Sequence, residues 1–302
     1  WREGDLFAPV AGDRFSLVVA NPPFTVSPDR RFAFRDGGRE GDELSRDVVR
    51  GAARHLADGG FAVVLCSWIL RAGEEWSEPL RGWVEGCGCD AWLLQSAVED
   101  PLHYAAGWNR GGDADYGEAL DRWTAYYRER GAAAIGLGAV VLRRREASCW
   151  VRADEMTGDP AMGSGDQVRR VFAAEDFLRA RGREALLDSA FSVAPEVVVS
   201  QSLRPRDGGG LVPKAAVLAL DGGLGFRGSA DAVTLELLQR CDGRTPLRSA
   251  LAGLAERAGH APERIVDAVV EAVRGLVGLG FLLPVVDGKE RGVVDGRAVE
   301  VA

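Results

Sequence analysis

The sequence contains little lysine and histidine and no long apolar segment. Of its 37 basic residues only Lys214 and Lys289 are lysines, and 45 acidic residues bring the formal net charge to −8. This excess of negative charge argues against nucleic-acid binding by electrostatic attraction alone. Because no run of about 18 apolar residues occurs and no signal peptide is recognisable, we expect a cytoplasmic protein with no membrane partner. Many arginines beside few lysines, with abundant alanine and glycine, are typical of a bacterium with a GC-rich genome.

Cysteine is scarce and irregularly placed. The five residues are Cys66, Cys87, Cys89, Cys149 and Cys241. Cys87 and Cys89 form a single C-x-C pair, and no second cysteine or histidine pair follows at a spacing that binds zinc. The three histidines are far apart in sequence and lack carboxylate partners at ligand spacing. We therefore predict reduced thiols and no metal site.

The rest of the composition is that of a globular protein. The 302 residues are 46% hydrophobic and 27% charged, and they suffice for one large domain or two of ordinary size. In the first half, apolar strands alternate with helices, which indicates an α/β fold. The predicted strands are Phe15–Ala20, Phe61–Cys66, Ala91–Leu94 and Ala134–Arg143, and the predicted helices follow Asp42 and cover Glu74–Val84 and Glu118–Glu129.

Three of these elements carry more detailed predictions. The first helix has an apolar residue at every fourth position from Leu44 to Leu56, with Asp42 as N-cap and Gly59-Gly60 as its end. The first strand, Phe15–Ala20, is almost continuously apolar and is predicted to be buried on both faces of a parallel sheet. The aromatic residues of Glu118–Glu129 are predicted to pack into the core.

From about Ser148 the pattern changes. A helix at Gln167–Arg179 precedes a β-hairpin predicted from Val197–Ser202 and Ala215–Leu220, with a glycine-rich turn between them. Three helices and a closing hairpin then resemble a winged-helix module. The helices are predicted to start at Ala230, at Thr245-Pro246 and at Ala261-Pro262, and the closing strands are Phe281–Val286 and Gly292–Val294. Because the third helix has balanced rather than basic charge, we expect docking or homodimer formation there instead of DNA reading.

A short motif follows the first strand directly. Asn21-Pro22-Pro23-Phe24 stands where the strand ends, and ligands of open α/β sheets bind at the carboxyl ends of strands. The two prolines make the loop rigid and remove two N–H donors. The loop therefore presents acceptors, the Asn21 side-chain oxygen and the Pro22 carbonyl, beside the aromatic ring of Phe24.

This arrangement suits a planar group that carries an NH₂. The two acceptors can hold its N–H bonds while the ring of Phe24 stacks on its plane. The nitrogen lone pair of such a group is delocalised and weakly nucleophilic, and an orientation that frees it for attack on a methyl donor would supply roughly 7–11 kcal/mol of the barrier. No side-chain base is required if the nitrogen loses its proton after the transfer. An alternative reading of the motif is a turn that merely ends the strand.

The stretch from Val18 to Phe24 resembles the motif of class I S-adenosylmethionine-dependent methyltransferases that act on planar nitrogens. These include the amino-group DNA and RNA methyltransferases and the release-factor glutamine methyltransferases. "GDLF" (Gly4–Phe7) resembles the acidic stretch before the motif in this family. The stretch from Arg35 to Gly60 resembles the loop, helix and Gly-Gly turn after the motif in the glutamine methyltransferases. The resemblance is specific from Gly4 to Leu65 and extends to Arg145 by strand order alone.

The resemblance implies a fold, a cofactor and a set of site residues. Residues 1–147 would be the C-terminal part of a Rossmann-like α/β catalytic sheet, followed by a connecting region, 148–225, and the winged-helix-like α+β module, 226–302. The cofactor would be S-adenosyl-L-methionine. Asp5 and Leu6 would lie beside its adenosine, Asn21 would also contact it, and Asn21, Pro22, Pro23 and Phe24 would form the catalytic loop. Since the family's Gly-rich cofactor loop precedes this motif, we expect the chain to be the C-terminal part of a longer enzyme and to be inactive by itself.

Two kinds of nitrogen remain as alternatives for the methyl acceptor. The segments around the motif favour the glutamine side-chain amide of a protein, for example a translation factor. An adenine or guanine amino group of a nucleic acid is the alternative. A third reading is a degenerate methyltransferase core that serves as a non-catalytic scaffold or binding module.

A second glycine-rich segment lies in the second half of the chain. Gly223–Gly228 reads GLGFRG, a G-x-G-x-x-G pattern. A dinucleotide fold needs a further strand with an acidic residue about 20 residues later, whereas more helices are predicted here. We therefore interpret this segment as a turn that leads into the winged-helix-like module.

Overall fold

A computed structural model describes residues 2–32, 34–109, 115–258, 261–286 and 289–290. The chain divides into two compact units, Trp1–Met156 and Thr157–Ala302. The domain boundaries predicted at 147 and 225 stay predictions.

The first unit is a sheet with helices, which confirms the α/β class. Its strands are β1 (Phe15–Ala20), β2 (Leu56–Leu70), β3 (Cys89–Glu99), β4 (Ala134–Arg144) and β5 (Val151–Glu155). Its helices are α1 (Glu43–Arg54), α2 (Glu78–Val84), α3 (Pro101–Trp108) and α4 (Tyr116–Glu129). Each strand predicted from the sequence is present, and β2 and β3 are several residues longer than predicted.

The five strands form one mixed sheet in the order β1-β2-β4-β3-β5. β1 pairs with β2 in parallel, as β3 does with β5, whereas β4 is antiparallel to both of its neighbours. The strands β1, β2, β3 and β5 therefore run in one direction, and their carboxyl ends lie at one edge of the sheet. The antiparallel central strand has no signature in the periodicity, because direction depends on how a connection crosses the sheet.

α1 packs the predicted apolar stripe against the sheet. Leu44, Val48 and Ala52 are buried in the main core of the unit, together with alternate residues of β2. The predicted end of this helix was wrong: α1 ends at Arg54, and Gly59-Gly60 lie inside β2. Gly59 has φ +71°, which suits glycine, and it lies where the β1–β2 register shifts. The two glycines therefore form a bulge in the strand.

The predicted burial of β1 on both faces was also wrong. Val18 and Ala20 pack on the core, but the side chains of Leu17 and Val19 on the other face are 59% and 71% exposed. Within the described residues β1 pairs with β2 alone. It is an edge strand of which one face is covered.

The second unit contains the remaining elements. Its strands are β6 (Ala190–Val193), β7 (Val197–Pro205), β8 (Leu211–Leu220), β9 (Arg227–Ala230), β10 (Asp242–Pro246), β11 (Leu282–Val286) and β12 (Lys289–Glu290). Its helices are α5 (Ser164–Arg179), α6 (Arg183–Leu187), α7 (Ala232–Arg240), α8 (Leu247–Ala258) and α9 (Pro262–Gly278). One sheet has the order β7-β8-β9 and the other β10-β6-β11-β12. The predicted β7–β8 hairpin is confirmed.

Two predicted helix starts had different outcomes. α9 begins at Pro262 after Ala261, as predicted. α8 begins at Leu247, so the start predicted at Thr245-Pro246 was wrong. The Asp242 carboxylate accepts the backbone N–H of Thr245 at 2.7 Å, and the segment pairs with β6 instead. The order α7, α8, α9, β11 is compatible with a winged-helix-like module, which stays a prediction; Gly292–Val294 lies outside the described residues.

Candidate active site

The NPPF loop (Asn21–Phe24) leaves the sheet at the carboxyl end of β1. The Phe24 N–H donates to the Pro22 carbonyl oxygen at 2.7 Å, which closes a three-residue turn around Pro23. A carbonyl oxygen has a second lone pair, so Pro22 can still accept another hydrogen bond. The Asn21 side chain is exposed, and no other described residue makes a hydrogen bond with it. Two acceptors are therefore present on a turn of fixed shape.

Buried hydroxyl groups hold the backbone just after the loop. The Ser67 hydroxyl donates to the Phe24 carbonyl oxygen. The Val26 N–H donates to the Tyr104 hydroxyl at 3.2 Å, and the Tyr127 hydroxyl donates to the Val26 carbonyl at 2.8 Å. Burial raises the pKa of both phenols, so both tyrosines stay protonated and act as fixed hydrogen-bonding groups.

An ion cluster closes the segment that follows. Phe24 and Asp36 form an antiparallel bridge. The Arg35 side chain is buried, with its Nε 2.7 Å from Asp36 Oδ1 and its Nη2 3.3 Å from Asp29 Oδ2. The Trp123 indole N–H also donates to Asp29, at 3.0 Å. These contacts tie the chain between Phe24 and Asp36 to helix α4.

Burial and the contacts with Arg35 have opposite effects on the pKa of the Asp36 carboxyl. Burial alone would raise the pKa of the Asp36 carboxyl. Hydrogen bonds from the Arg35 side chain and from the backbone of Phe32 and Arg31, together with the charge of Arg35, hold it below its ordinary value. Asp36 is therefore ionised at neutral pH and engaged with Arg35, so it is not free to act as a base.

A second segment, which leads from Asp36 into α1, contacts the NPPF loop. Gly37 lies so close to the Pro23 carbonyl that a β-carbon on Gly37 would stand 2.9 Å from that oxygen. Asp42 occupies the N-cap position of α1 as predicted, but its carboxylate accepts the Ile69 N–H of β2 at 3.0 Å instead of capping the helix. The strand β2 is longer than β1, and Asp42 satisfies a donor of the part that extends past β1. Burial raises the pKa of the Asp42 carboxyl.

The residues predicted to lie beside the cofactor reach this region through one arginine. Arg39 lies 3.7 Å from the Asp5 carboxylate and also pairs with Asp47 of α1. The Asp5 side chain is 82% exposed, and Leu6 is also exposed. An exposed carboxylate accepts hydrogen bonds from hydroxyl and amino groups, which are donors that S-adenosylmethionine carries. The structure places Asp5 beside the segment that contacts Pro23, and gives no direct contact between Asp5 and Asn21.

The GLGFRG segment comprises part of the turn after β8 and the first two residues of β9. Backbone groups at the start of the segment are already used within the second unit. The Leu224 N–H donates to Gln167 Oε1 at 2.6 Å, the Gly223 N–H donates to the Met162 carbonyl at 2.8 Å, and the Ala161 N–H donates to the Gly223 carbonyl at 2.7 Å. These groups cannot cradle a phosphate as well, which agrees with the interpretation as a turn.

Sequence reasoning missed the residues that hold the NPPF loop in place. Tyr127 was predicted to be a core residue, and it is buried, but its hydroxyl also binds the backbone after the loop. Tyr104, Ser67 and Arg35 were not singled out at all. The adjacent opposite charges of Arg35-Asp36, a few residues after the motif, are a local signal that could have drawn attention to this segment.

Two features are absent from the described part of the chain. It contains no group of three or more histidine, cysteine or acidic residues placed to hold a metal ion. None of its helices combines the length and apolar character needed to span a bilayer.

Comparisons with known proteins match different parts of the chain. Residues 169–284 match a family model described as a domain of unknown function (DUF7782). The chain is 39% identical over 70 residues to a ribosomal protein uL3 glutamine methyltransferase of Bradyrhizobium diazoefficiens, a match that covers 19% of this chain and 22% of that protein. It is 36% identical over 73 residues to a release factor glutamine methyltransferase of Geobacter sulfurreducens, covering 20% and 26%.

The chain thus spans about a quarter of the length of these curated relatives. A solved structure assigned provisionally as a sarcosine dimethylglycine methyltransferase of Galdieria sulphuraria is 13% identical, with a TM-score of 0.25, over 47% of this chain and 57% of that one. At that TM-score the likeness adds nothing to the argument about fold. The matches support a similarity to glutamine methyltransferases over a limited segment.

Proposed function

We propose that the first unit is the C-terminal part of a Rossmann-like catalytic domain that transfers a methyl group from S-adenosylmethionine to a planar nitrogen. The glutamine side-chain amide of a protein is the proposed substrate. The observation that carries the proposal is the NPPF loop, a rigid turn at the carboxyl end of β1 with an exposed Asn21 side chain. The names of the two curated relatives support the choice of glutamine.

The loop provides the contacts that an amide NH₂ requires. The Asn21 side-chain oxygen and the free lone pair of the Pro22 carbonyl accept its two N–H bonds. The half-buried ring of Phe24 stacks on the amide plane. Because Ser67, Tyr104 and Tyr127 hold the following backbone, the acceptors keep their position without reorganisation, which is the condition for catalysis by orientation.

S-adenosylmethionine supplies an electrophilic methyl group when it is bound. In this chain Asn21 would contact it, and Asp5 and Leu6 would lie beside its adenosine. The exposed Asp5 carboxylate suits a hydroxyl or amino group. The Gly-rich loop that the resemblance implies is not among the residues assigned to this site.

The proton of the target nitrogen needs no side-chain base from this chain. Asp29 and Asp36 are engaged with Arg35, and burial raises the pKa of Tyr104 and Tyr127. Once methylated, an amide nitrogen would lose its extra proton to solvent. The loop residues thus act by orienting the substrate and not by taking its proton.

For the winged-helix-like module, residues 226–302, we propose docking or homodimer formation. The charge of its third helix supports this role, because Glu263, Asp267 and Glu271 offset Arg264 and Arg274. A translation factor is the proposed protein partner of the enzyme.

The test uses the complete protein that contains this chain. It is incubated with methyl-labelled S-adenosylmethionine in an extract of cells that lack the gene, and the labelled material is treated with protease or with nuclease. The proposal expects protease-sensitive label, found by mass spectrometry on glutamine and absent with the Asn21→Ala variant. Nuclease-sensitive label would replace the protein substrate by a nucleic acid, and an absence of label with a folded protein would favour a non-catalytic scaffold.

A further inference from the structure

A cavity opens at the opposite edge of the first sheet, where β3 begins. It has a volume of about 390 Å³ and is lined by Arg50, Arg54, Trp83, Glu85, Cys87 and Arg144, among others. Arg50 and Arg54 come from α1, Trp83 from α2, and Arg144 from the end of β4. We call it the arginine-lined cavity. It lies apart from the NPPF loop, and the proposed function does not use it.

The charges of this cavity favour an anion. Arg144 donates to the Cys87 carbonyl at 3.0 Å, and Arg50 donates to the Trp83 carbonyl at 3.2 Å. Hydrogen bonds to carbonyl groups fix the two guanidinium groups, and no carboxylate of the described residues forms an ion pair with either of them. Arg54 is exposed on the last turn of α1. Three guanidinium groups thus line the cavity with one carboxylate, Glu85, and guanidinium groups bind carboxylates and phosphates well.

A reactive thiol lies in the same cavity. The Cys89 side chain is buried, and its sulfur lies 3.8 Å from the Cys87 carbonyl oxygen. Hydrogen bonding from Cys89 and the charge of Arg144, against the opposing effect of burial, lower the pKa of Cys87 to about 7. A lowered pKa increases the thiolate fraction of Cys87 at neutral pH, and the thiolate is the nucleophilic form.

The other cysteines are poor competitors. Cys66 and Cys241 are buried, and burial raises the pKa of both thiols. Cys149 is exposed, but partial burial and the charges of Asp90 and Cys87 raise its pKa. Cys87 alone combines access from a cavity with a lowered pKa among the five.

We propose that Cys87 is a site of reversible S-thiolation by an anionic low-molecular-weight disulfide that binds in the arginine-lined cavity. The Cys87 thiolate attacks one sulfur of the disulfide, a Cys87–S–S–R bond forms, and the original S–S bond breaks. The second half leaves as a thiolate, which takes a proton from water. One disulfide replaces another, so no further oxidant is needed, and attack by a second small thiol reverses the step.

The test compares a dianionic and a neutral disulfide on the complete chain. Both probes, 5,5′-dithiobis(2-nitrobenzoate) and 4,4′-dithiodipyridine, release a coloured thiol that reports the rate, and peptide mass spectrometry identifies the labelled cysteine. We expect Cys87 to be labelled before Cys149. In a Cys149→Ser background, Arg54→Glu should slow the dianionic probe by about tenfold and leave the neutral probe nearly unchanged. Arg183→Glu, at an exposed arginine of the second unit, is the matched control and should change neither rate.

The role of Cys89 gives an independent test. The rate at Cys87 should fall as the pH drops through about 7. Cys89→Ala should move this midpoint towards the ordinary value of 9.0, whereas Cys89→Ser retains a donor and should restore much of the shift. The proposal is wrong if Cys149 is labelled first, or if Arg54→Glu affects both probes equally. If Cys89→Ala leaves the midpoint unchanged, the role of Cys89 is refuted. If Cys89→Ala fails to fold, the comparison of the two probes with Arg54→Glu still tests whether the anion binds in the arginine-lined cavity.

Discussion

The two edges of the first sheet differ in how their charges are compensated. At the carboxyl ends of the strands, Arg35 is buried between Asp29 and Asp36. At the amino end of β3, the described residues offer no ion pair to Arg50, Arg54 or Arg144, and two of these bind backbone carbonyls instead. A charged side chain that is paired with an opposite charge can be buried, and it then holds a loop in one shape. A charged side chain without an ion pair must stay near water, where it can attract a ligand of opposite charge.

The two edges of the sheet represent two different kinds of site. The proposed role of the NPPF loop depends on fixed surroundings, so substitutions around the loop should lower stability, disturb the orientation of its acceptors, or both. The arginine-lined cavity is useful because its charge is available, so substitutions there should alter reactivity with little loss of stability. Four substitutions test this distinction.

The largest effect on stability is expected from Asp36→Asn. The variant removes one of the two carboxylates that compensate the buried Arg35 and leaves Asp29 as the other. Breaking a buried ion pair costs about 3–5 kcal/mol. The free energy of unfolding of the complete chain, measured with urea, should fall by that order. Asp58→Asn, at an exposed aspartate of β2, is the control and should change little. A loss as small as the control's would mean that the ion cluster does not hold this edge together.

The same carboxylate sets a pH dependence. Its pKa is lower in the folded chain than the ordinary 3.8, so its contribution is complete above 3.8 and is lost as the pH falls through the folded value. The stability difference between the wild type and Asp36→Asn should therefore be constant from neutral pH down to about 4 and shrink below it. A difference that already shrinks near pH 6 would contradict this assignment.

The largest effect on the proposed methyl transfer is expected from Asn21→Ala in the complete protein that contains this chain. Removal of one positioned polar group in an active site commonly lowers the rate by about 10²–10³. Because the Asn21 side chain is exposed, the unfolding transition should not change. Single-turnover methyl transfer measures the effect, and a rate within a few-fold of the wild type would remove Asn21 from the mechanism.

A smaller effect is expected from Tyr127→Phe. The substitution leaves the buried Val26 carbonyl without its donor, and an unsatisfied buried group costs about 1–3 kcal/mol. Tyr116→Phe is the matched control, since the Tyr116 hydroxyl is exposed and its contact with the Ala106 carbonyl is 3.5 Å long. Equal urea midpoints for the two variants would show that the Tyr127 hydroxyl does not hold the loop.

The smallest effect on stability is expected from Arg54→Gln at the other edge. Arg54 stands in the last turn of α1, where a positive charge contributes about 0.3–1 kcal/mol through the helix dipole. A urea titration should show a loss within that range. A loss as large as that of Asp36→Asn would mean that the arginine-lined cavity is a structural element after all.

The sequence by itself determined the features that depend on neighbours along the chain. The apolar stripe of α1, the position of β1 and the N-terminal proline of α9 follow from periodicity and from the geometry of proline. The NPPF motif, with its acceptors and its aromatic ring, could be recognised in the sequence because its residues are consecutive. Its predicted role in methyl transfer is an inference from chemistry and resemblance, and it stays a proposal.

The tertiary structure alone decided what depends on distant residues. Val26 meets Tyr104 and Tyr127 across 78 and 101 positions of sequence, and no local pattern indicates such a pairing. The sequence predicts Asp42 as an N-cap, yet its carboxylate accepts the backbone N–H of Ile69 in β2. This donor is available because β2 extends past its neighbour β1. The antiparallel β4 and the exposed face of β1 likewise follow from how the strands assemble, since strand direction and edge position are properties of the sheet and not of a segment.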